Sequence, residues 1–470
     1  SALPALYPPD PRGRCALICE TYTRSCINIP SSVSIMLEPL KFCNAGSLGT
    51  AEFTQDPAAQ WGQLCEWLHN EGALGFGVGE RVVEPRMFEM PGGERIRGMG
   101  ALKDVEEGEI LMSIPIYCTM IADEMAEPFT NASWGVRLVA KLIQERAAGL
   151  ASTWRAYMQS LPERVCTPID CTDAELAEVQ HAPMIAKIER LKAFFEADFQ
   201  SCPPYVVDHC TQDLFNTMMT IVYSRTFRLD GRRYLIPAVD CLNHRATNQQ
   251  AEWRLDTDKG CVNLVAISSI FAGDQVYATY GDRGNDDFFL HYGFVPSKNM
   301  DDDIELFETA EEAVEWYKSA FMLSCGTDSN IAEAACMKAL KAANDEQSSM
   351  EAHEAEVVEV ERGWKGALRP SETGLRAIRH GQVDGRLMAA LESFKEAGVG
   401  VHPLEAVRVR CQEILHGFPT TAEEDAELMS NGEDMGDVMK LVLRFRCSKK
   451  LVLLTLIELC SLAVKEEDLT

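Results

Sequence analysis

Short strand signals crowd two stretches of this 470-residue chain, with a long helical stretch between them, and that alternation limits the fold more than any other feature. Arg81 to Met90 (RVVEPRMFEM) and Ile110 to Ile116 (ILMSIPI) set β-branched and apolar residues between Gly-rich turns, as strands do. Residues 131 to about 223 instead repeat apolar side chains at helical spacing. Val136, Leu138, Val139, Leu142 and Ile143 form one stripe, and Ala174 to Phe199 reads as one long amphipathic run. Strand signals return at Tyr234 to Val239, Val262 to Ala266 and Gln275 to Thr279. From about residue 308 onward only helix and connector patterns follow, broken at Gly398, Gly400, Pro403 and the Pro419-Thr420-Thr421 cap. A strand-rich unit interrupted by helices and followed by a helical unit is an α+β architecture. A helix also starts near Ala58, with Trp61, Leu64, Cys65 and Leu68 on one face. Ahead of it, residues 1–57 are Pro- and Ser-rich in patches and lack an amphipathic period; they are expected to form a poorly ordered leader.

Composition excludes several function classes. With 44 basic against 72 acidic residues the net charge is −28, which repels phosphate backbones and disfavours direct nucleic-acid binding. No stretch approaches the roughly 20 apolar residues needed to cross a bilayer, and Leu451 to Ile457 (LVLLTLI), flanked by Lys449, Lys450 and Glu458, reads as a buried helix. The 17 cysteines form no CxxC pair and no Cys/His array with metal-ligand spacing. They read as small core residues in an intracellular, reducing compartment, with no metal site.

Four segments carry the chemistry, and their order matters more than any one of them. Arg97-Gly98-Met99-Gly100 is placed between strands; alone it reads as a tight turn, because glycine tolerates positive φ. Tyr223-Ser224-Arg225-Thr226-Phe227 ends a helix, and Ile236 to His244 (IPAVDCLNH) sets Asn243 and His244 just past a strand. Polar side chains there are wasted if buried without partners. Last come Tyr280-Gly281-Asp282-Arg283-Gly284-Asn285 and His291-Tyr292-Gly293-Phe294, two Tyr-Gly pairs twelve residues apart. One tyrosine at a strand end is normally a core-edge aromatic with a wet hydroxyl. Two of them, after an Asp-x-x-Asn-His, are harder to explain by packing alone.

The ordered set RGMG, SRTF, DCLNH, YGDRGN and HYGF resembles the SET domain of the Rubisco large-subunit lysine methyltransferase branch. The blocks Arg410 to Leu415, Phe418 to Asp425 and Phe445 to Lys450 are similar to that branch's helical substrate-binding domain. The resemblance implies a β-rich SET domain over 58–307 with a helical insertion at about 131–223, then an all-α substrate-binding domain over 308–470. It implies S-adenosylmethionine as methyl donor, held by Arg97, Gly98 and Met99 through backbone contacts and by Asn243 and His244. Arg225 and Asp240 would line the channel for the target side chain, and Tyr280 and Tyr292 would place hydroxyls around the accepting nitrogen. The implied activity is methylation of a lysine on a non-histone protein that docks on the C-terminal helical domain, in the plastid or in cytoplasm and nucleus. Tyr292, which the histidine-methylating relative lacks, points to lysine. Cys325, Cys336, Cys411, Cys447 and Cys460 are too widely separated for the zinc cluster that other SET enzymes carry after the second tyrosine. A catalytically silent SET-fold scaffold, as in a plastid transcription complex, is the alternative function.

Overall fold

The computed structural model describes residues 57–89, 95–122, 132–357, 374–431 and 435–467. The expected leader lies outside them apart from Pro57. The chain divides into two compact units. Among the described residues one reaches to Ser297 and takes in residues 435–442, and the other holds those of 298–431 and 443–467.

The first unit opens with α1 (Pro57–Asn70), which buries Leu64, Cys65 and Leu68. Its strands are β1 (Val83–Glu89), β2 (Arg95–Ala101), β3 (Ile110–Pro115) and β4 (Met120–Ile121). The helical insertion follows as α2 (Trp134–Ala148), α3 (Arg155–Ser160), α4 (Asp173–Ala177), α5 (Ala182–Gln200), α6 (Pro204–Val207) and α7 (Gln212–Arg225). Then come β5 (Thr226–Leu229), β6 (Arg232–Leu235), β7 (Asn243–His244), β8 (Ala251–Asp256), β9 (Cys261–Ala266) and β10 (Gln275–Ala278). These build three small sheets, in the orders β1-β2-β10-β7, β3-β9-β8 and β4-β6-β5. Most pairings are antiparallel; β7 runs parallel to β10, with Asn243 opposite Tyr277 and His244 opposite Ala278. The Ser133 hydroxyl accepts the Val136 N–H and starts α2, a side-chain N-cap.

Four local expectations need correction. Arg97 to Gly100 is not a turn between strands: it lies within β2, paired from Arg95 to Ala101 against β1. The run from Ala174 to Phe199 is two helices, broken where Gln180 takes φ 53° and Pro183 opens the next. The strand expected to Val239 stops at Leu235, because Pro237 has no N–H to donate and Ala238 turns the chain with φ 66°. Asn243 and His244, read as lying past a strand, themselves form β7.

The second unit contains β11 (Asp303–Phe307), α8 (Ala310–Tyr317), α9 (Ser329–Val357), β12 (Leu375–Ile378), α10 (Gly385–Glu396), α11 (Pro403–His416), α12 (Ala422–Asn431) and most of α13 (Asp437–Glu467). It is helical apart from the antiparallel ribbon of β11 and β12, a departure from the helix-only pattern of the sequence. Tyr317 and Phe394 stack at 4.2 Å in its core. Arg446, Lys449 and Lys450 on α13 are also fully buried. The Asp425 carboxylate accepts from Arg446 Nε at 2.9 Å and from Lys450 Nζ at 2.6 Å, and Asp302 accepts from Lys449 Nζ at 2.7 Å. Buried cations persist only when paired in this way.

Candidate active site

The ends of β2, β7 and β10 bring the first group of residues together. β2 presents Arg97, Gly98 and Met99 beside β10, and β7 lies on the other side of β10. Asn243 Nδ2 donates to the Arg97 carbonyl at 2.8 Å, which locks the carboxamide and ties β7 to β2. Gly98 leaves room for two carboxamides: an added Cβ would collide with Gln275 Nε2 and lie 2.9 Å from Asn243 Nδ2, so both side chains would have to move. Met99 is fully buried, and Arg97, half-buried, reaches the Cys241 thiol at 3.9 Å.

His244 Nδ1 accepts the Tyr280 backbone N–H at 3.0 Å, which assigns its proton to Nε2. Burial, helped by the Arg283 charge, pulls its pKa down to about 4, so the imidazole is neutral. Its Nε2, Gln275 Nε2 and Arg225 Nε are all buried without a hydrogen-bond partner among the described residues. Few buried polar atoms in native chains are orphaned; those of His244 and Gln275 lie on the paired strands β7 and β10, where polar groups of a ligand would complete them, and that of Arg225 lies beside Asp240.

The second group is aromatic. After Gly284 the chain makes a helical turn, Asn285–Asp287, that widens into π-helical Phe288–Tyr292. Gly293 ends it at φ 72°, where a Cβ would overlap the Cys166 carbonyl. A salt bridge of 2.6 Å from Lys187 on α5 to Asp286 pins the turn to the helical insertion. The turn sets Tyr292 against Tyr280, centroids 5.3 Å apart and nearly parallel. Phe288 and Phe294 close the cluster, and His244 packs on Phe288 at 4.6 Å. The Tyr280 hydroxyl donates to the Leu242 carbonyl at 2.6 Å; no hydrogen bond engages the Tyr292 hydroxyl among the described residues. Burial pushes both phenols above their ordinary pKa, so both stay protonated at neutral pH. Arg283 donates to the Tyr280 carbonyl at 2.9 Å and lies 5.6 Å from the Tyr292 ring centroid.

Arg225, at the end of α7, and Asp240 lie behind this cluster rather than on an open wall. Arg225 Nη1 meets the Asp240 carbonyl at 2.7 Å and its carboxylate at 3.4 Å, and both side chains are almost fully buried. Burial works against the Arg225 charge, but Asp240, Cys241, Tyr157 and Tyr280 outweigh it and raise its pKa. The Asp240 carboxylate also accepts the Tyr157 hydroxyl at 3.1 Å.

A SET-domain model matches residues 97–281, and a Rubisco LSMT substrate-binding model matches residues 384–453. The chain carries a SET domain followed by a Rubisco LSMT-type substrate-binding region. A chloroplastic [fructose-bisphosphate aldolase]-lysine N-methyltransferase of Arabidopsis thaliana is 24% identical to it, over 83% of this chain and 80% of the relative. A chloroplastic Rubisco large-subunit N-methyltransferase of Nicotiana tabacum is 25% identical over 83% and 79%. The crystal structure of the SET domain of LSMT bound to methyl-lysine and AdoHcy superposes with a TM-score of 0.60 at 18% identity, covering 87% of this chain and 93% of that one. That likeness carries the fold.

This SET-type site thus gathers Arg97, Gly98, Met99, Asn243 and His244 at the strand ends, Tyr280 and Tyr292 in one stacked pair, and Arg225 with Asp240 behind them. Sequence reasoning missed Tyr157 and Gln275. Tyr157 sits in an ordinary amphipathic stretch with no local mark. Gln275, buried inside a strand next to the Gly273-Asp274 turn, was the more legible of the two, as a polar residue at an apolar strand position.

Proposed function

We propose that this chain transfers a methyl group from S-adenosylmethionine to the side-chain nitrogen of a lysine on a non-histone protein. The stacked Tyr280–Tyr292 pair beside the Asn243-His244 strand end carries this reading. The donor would meet Gly98, where an added Cβ would collide with the Gln275 carboxamide, and the nitrogens of His244 and Gln275 on adjacent strands, which have no hydrogen-bond partner among the described residues. Arg97, Gly98 and Met99 would hold the donor with Asn243 and His244. When bound, it supplies a sulfonium-activated methyl group, an electrophile that needs no metal.

The residues of this chain do the positioning, which is most of the work in a displacement of this kind. A lysine amine attacks only when neutral. The wall of Tyr280, Tyr292, Phe288 and Phe294, with a neutral His244 behind it, disfavours an ammonium by desolvation. Because the Tyr280 hydroxyl already donates to Leu242, it can only accept from the amine, so it steers an amine N–H and leaves the lone pair to face the methyl group. The Tyr292 hydroxyl completes that set. Arg225 and Asp240, clamped to each other, would form the floor of the target site. The matched substrate-binding region at 384–453 would receive the protein target. No disulfide joins the described cysteines, which fits a reducing compartment, and the chloroplastic relatives favour the plastid.

The test incubates the full chain with radiolabelled S-adenosylmethionine and plastid protein extract, followed by mass spectrometry of the labelled site. Label on a lysine nitrogen is expected, together with a donor-dependent rise in melting temperature. Donor binding with no transfer to any extracted protein would instead establish the scaffold, and no melting response would remove both readings.

A further inference from the structure

Tyr157 belongs to the helical insertion, on α3. It is completely buried, and its ring packs edge-on against Trp154 at 6.4 Å. Packing alone would be served by phenylalanine; a buried hydroxyl requires a partner. Its partner is Asp240 Oδ2 at 3.1 Å, and burial together with the Asp240 charge keeps the phenol protonated as the donor. Asp240 lies at the centre of a tight turn, Val239–Cys241, entered through Ala238 at φ 66°. That turn is rigid: Asp240 N–H bonds to Ile236 O at 3.2 Å, Cys241 N–H to Ala238 O at 3.1 Å and Leu242 N–H to Val239 O at 3.2 Å. Arg225 holds it from the other side through the Asp240 carbonyl. Two residues on, at the end of the same turn, the Leu242 carbonyl accepts the Tyr280 hydroxyl. Displacing Asp240 therefore displaces the acceptor that orients Tyr280.

We propose that Tyr157 is a positioning residue through which the helical insertion holds the Tyr280 hydroxyl in register for the acceptor nitrogen. Its effect on rate rests on the methyltransferase reading above; its effect on Tyr280 does not. The insertion thereby serves the site directly as well as covering it.

The test uses the full chain carrying Tyr157→Phe, which keeps the ring and removes one hydroxyl, with Asp240→Asn as a second variant that disturbs the same link from the other end. The first readout is the Cζ resonance of Tyr280 in protein labelled with ¹³C-tyrosine, assigned by its loss in Tyr280→Phe. It is expected to move in both variants and to stay fixed in Tyr317→Phe, a tyrosine of the other unit. The second is the rate. Tyr157→Phe is expected to lower kcat about tenfold with the KM for S-adenosylmethionine nearly unchanged, the pattern of an interaction that matters in the transition state. In a Tyr280→Phe background the same change should cost nothing further, because both act through one hydroxyl. A Tyr280 resonance that stays in place in folded Tyr157→Phe protein overturns the proposal, and so does a rate loss that adds in full to that of Tyr280→Phe. A wild type that transfers no methyl group would remove the proposed function while the resonance still decides the link.

Discussion

The two tyrosines differ in how far their hydroxyls are already committed, and that difference can be measured. Tyr280 donates to Leu242, whereas Tyr292 has no such bond among the described residues. Tyr→Phe at either position hardly alters packing. Losing a positioned polar group at a reacting centre costs about 2–4 kcal/mol of transition-state stabilisation. Single-turnover methyl transfer should therefore fall by roughly two orders of magnitude for at least one variant, with donor affinity and melting temperature close to wild type. Wild-type rates in both would end the tyrosine-pair mechanism. Two histidines give a second prediction. His291 is buried and His244 half-buried, and both pKa values are lowered from 6.5 to about 4, mainly by burial of the rings. The unfolded chain binds these protons more readily than the folded one. Their contribution is thus complete above pH 6.5 and is lost as pH falls towards 4, by roughly 2 kcal/mol each at pH 5. Denaturant unfolding at pH 7 and pH 5 should show the loss. His291→Phe, which can keep the stack on Tyr223 at 5.5 Å, should remove about half of it; an unchanged pH dependence would count against these shifts.

At the scale of elements, the exchange of a turn for a strand at Arg97–Gly100 changes what the glycine is for. In β2 it does not relieve positive φ; it leaves room for the carboxamides of Asn243 and Gln275. Gly98→Ala is expected to displace the Gln275 amide from β2 and to push the Asn243 amide off the Arg97 carbonyl. Donor binding by calorimetry should fall at least about tenfold, and the melting temperature should drop by several degrees, as for other overpacked positions. Normal donor affinity in Gly98→Ala would show that the amides are not part of the site. The sequence revealed the neighbouring elements unevenly. Strand β9 and helices α2 and α7 follow from strong local patterns. Four-residue β12 and two-residue β7 do not, because so short a strand exists only through its partner. Tyr157 was invisible for a related reason: its role is defined by Asp240, eighty-three positions away.

For the whole molecule, the second unit has charge inside its core. Arg446 and Lys450 both depend on Asp425, whose side chain is inaccessible to solvent. Asp425→Asn removes the carboxylate that both buried cations share. Removing one partner of a buried ion pair costs about 3–5 kcal/mol, so thermal unfolding should shift down by well over five degrees. A change of less than a degree would mean that water reaches the cluster. Metal offers an independent check: no group of His, Cys, Asp or Glu among the described residues is arranged to hold an ion, and elemental analysis is expected to find zinc well below one atom per chain.

The order of short motifs along the chain already carried the resemblance to the SET and Rubisco LSMT substrate-binding families, whose models match it, because such a fold needs particular side chains at particular strands. Composition and period carried the α+β class for the same reason: burial of apolar faces is written locally, residue by residue. The tertiary structure alone decided which polar groups meet. It placed Gly98 beneath Gln275, closed Asp240 between Tyr157 and Arg225, and stacked Tyr280 on Tyr292. Those contacts join residues far apart in sequence, and their strength depends on desolvation, which arises only once the chain has closed around them.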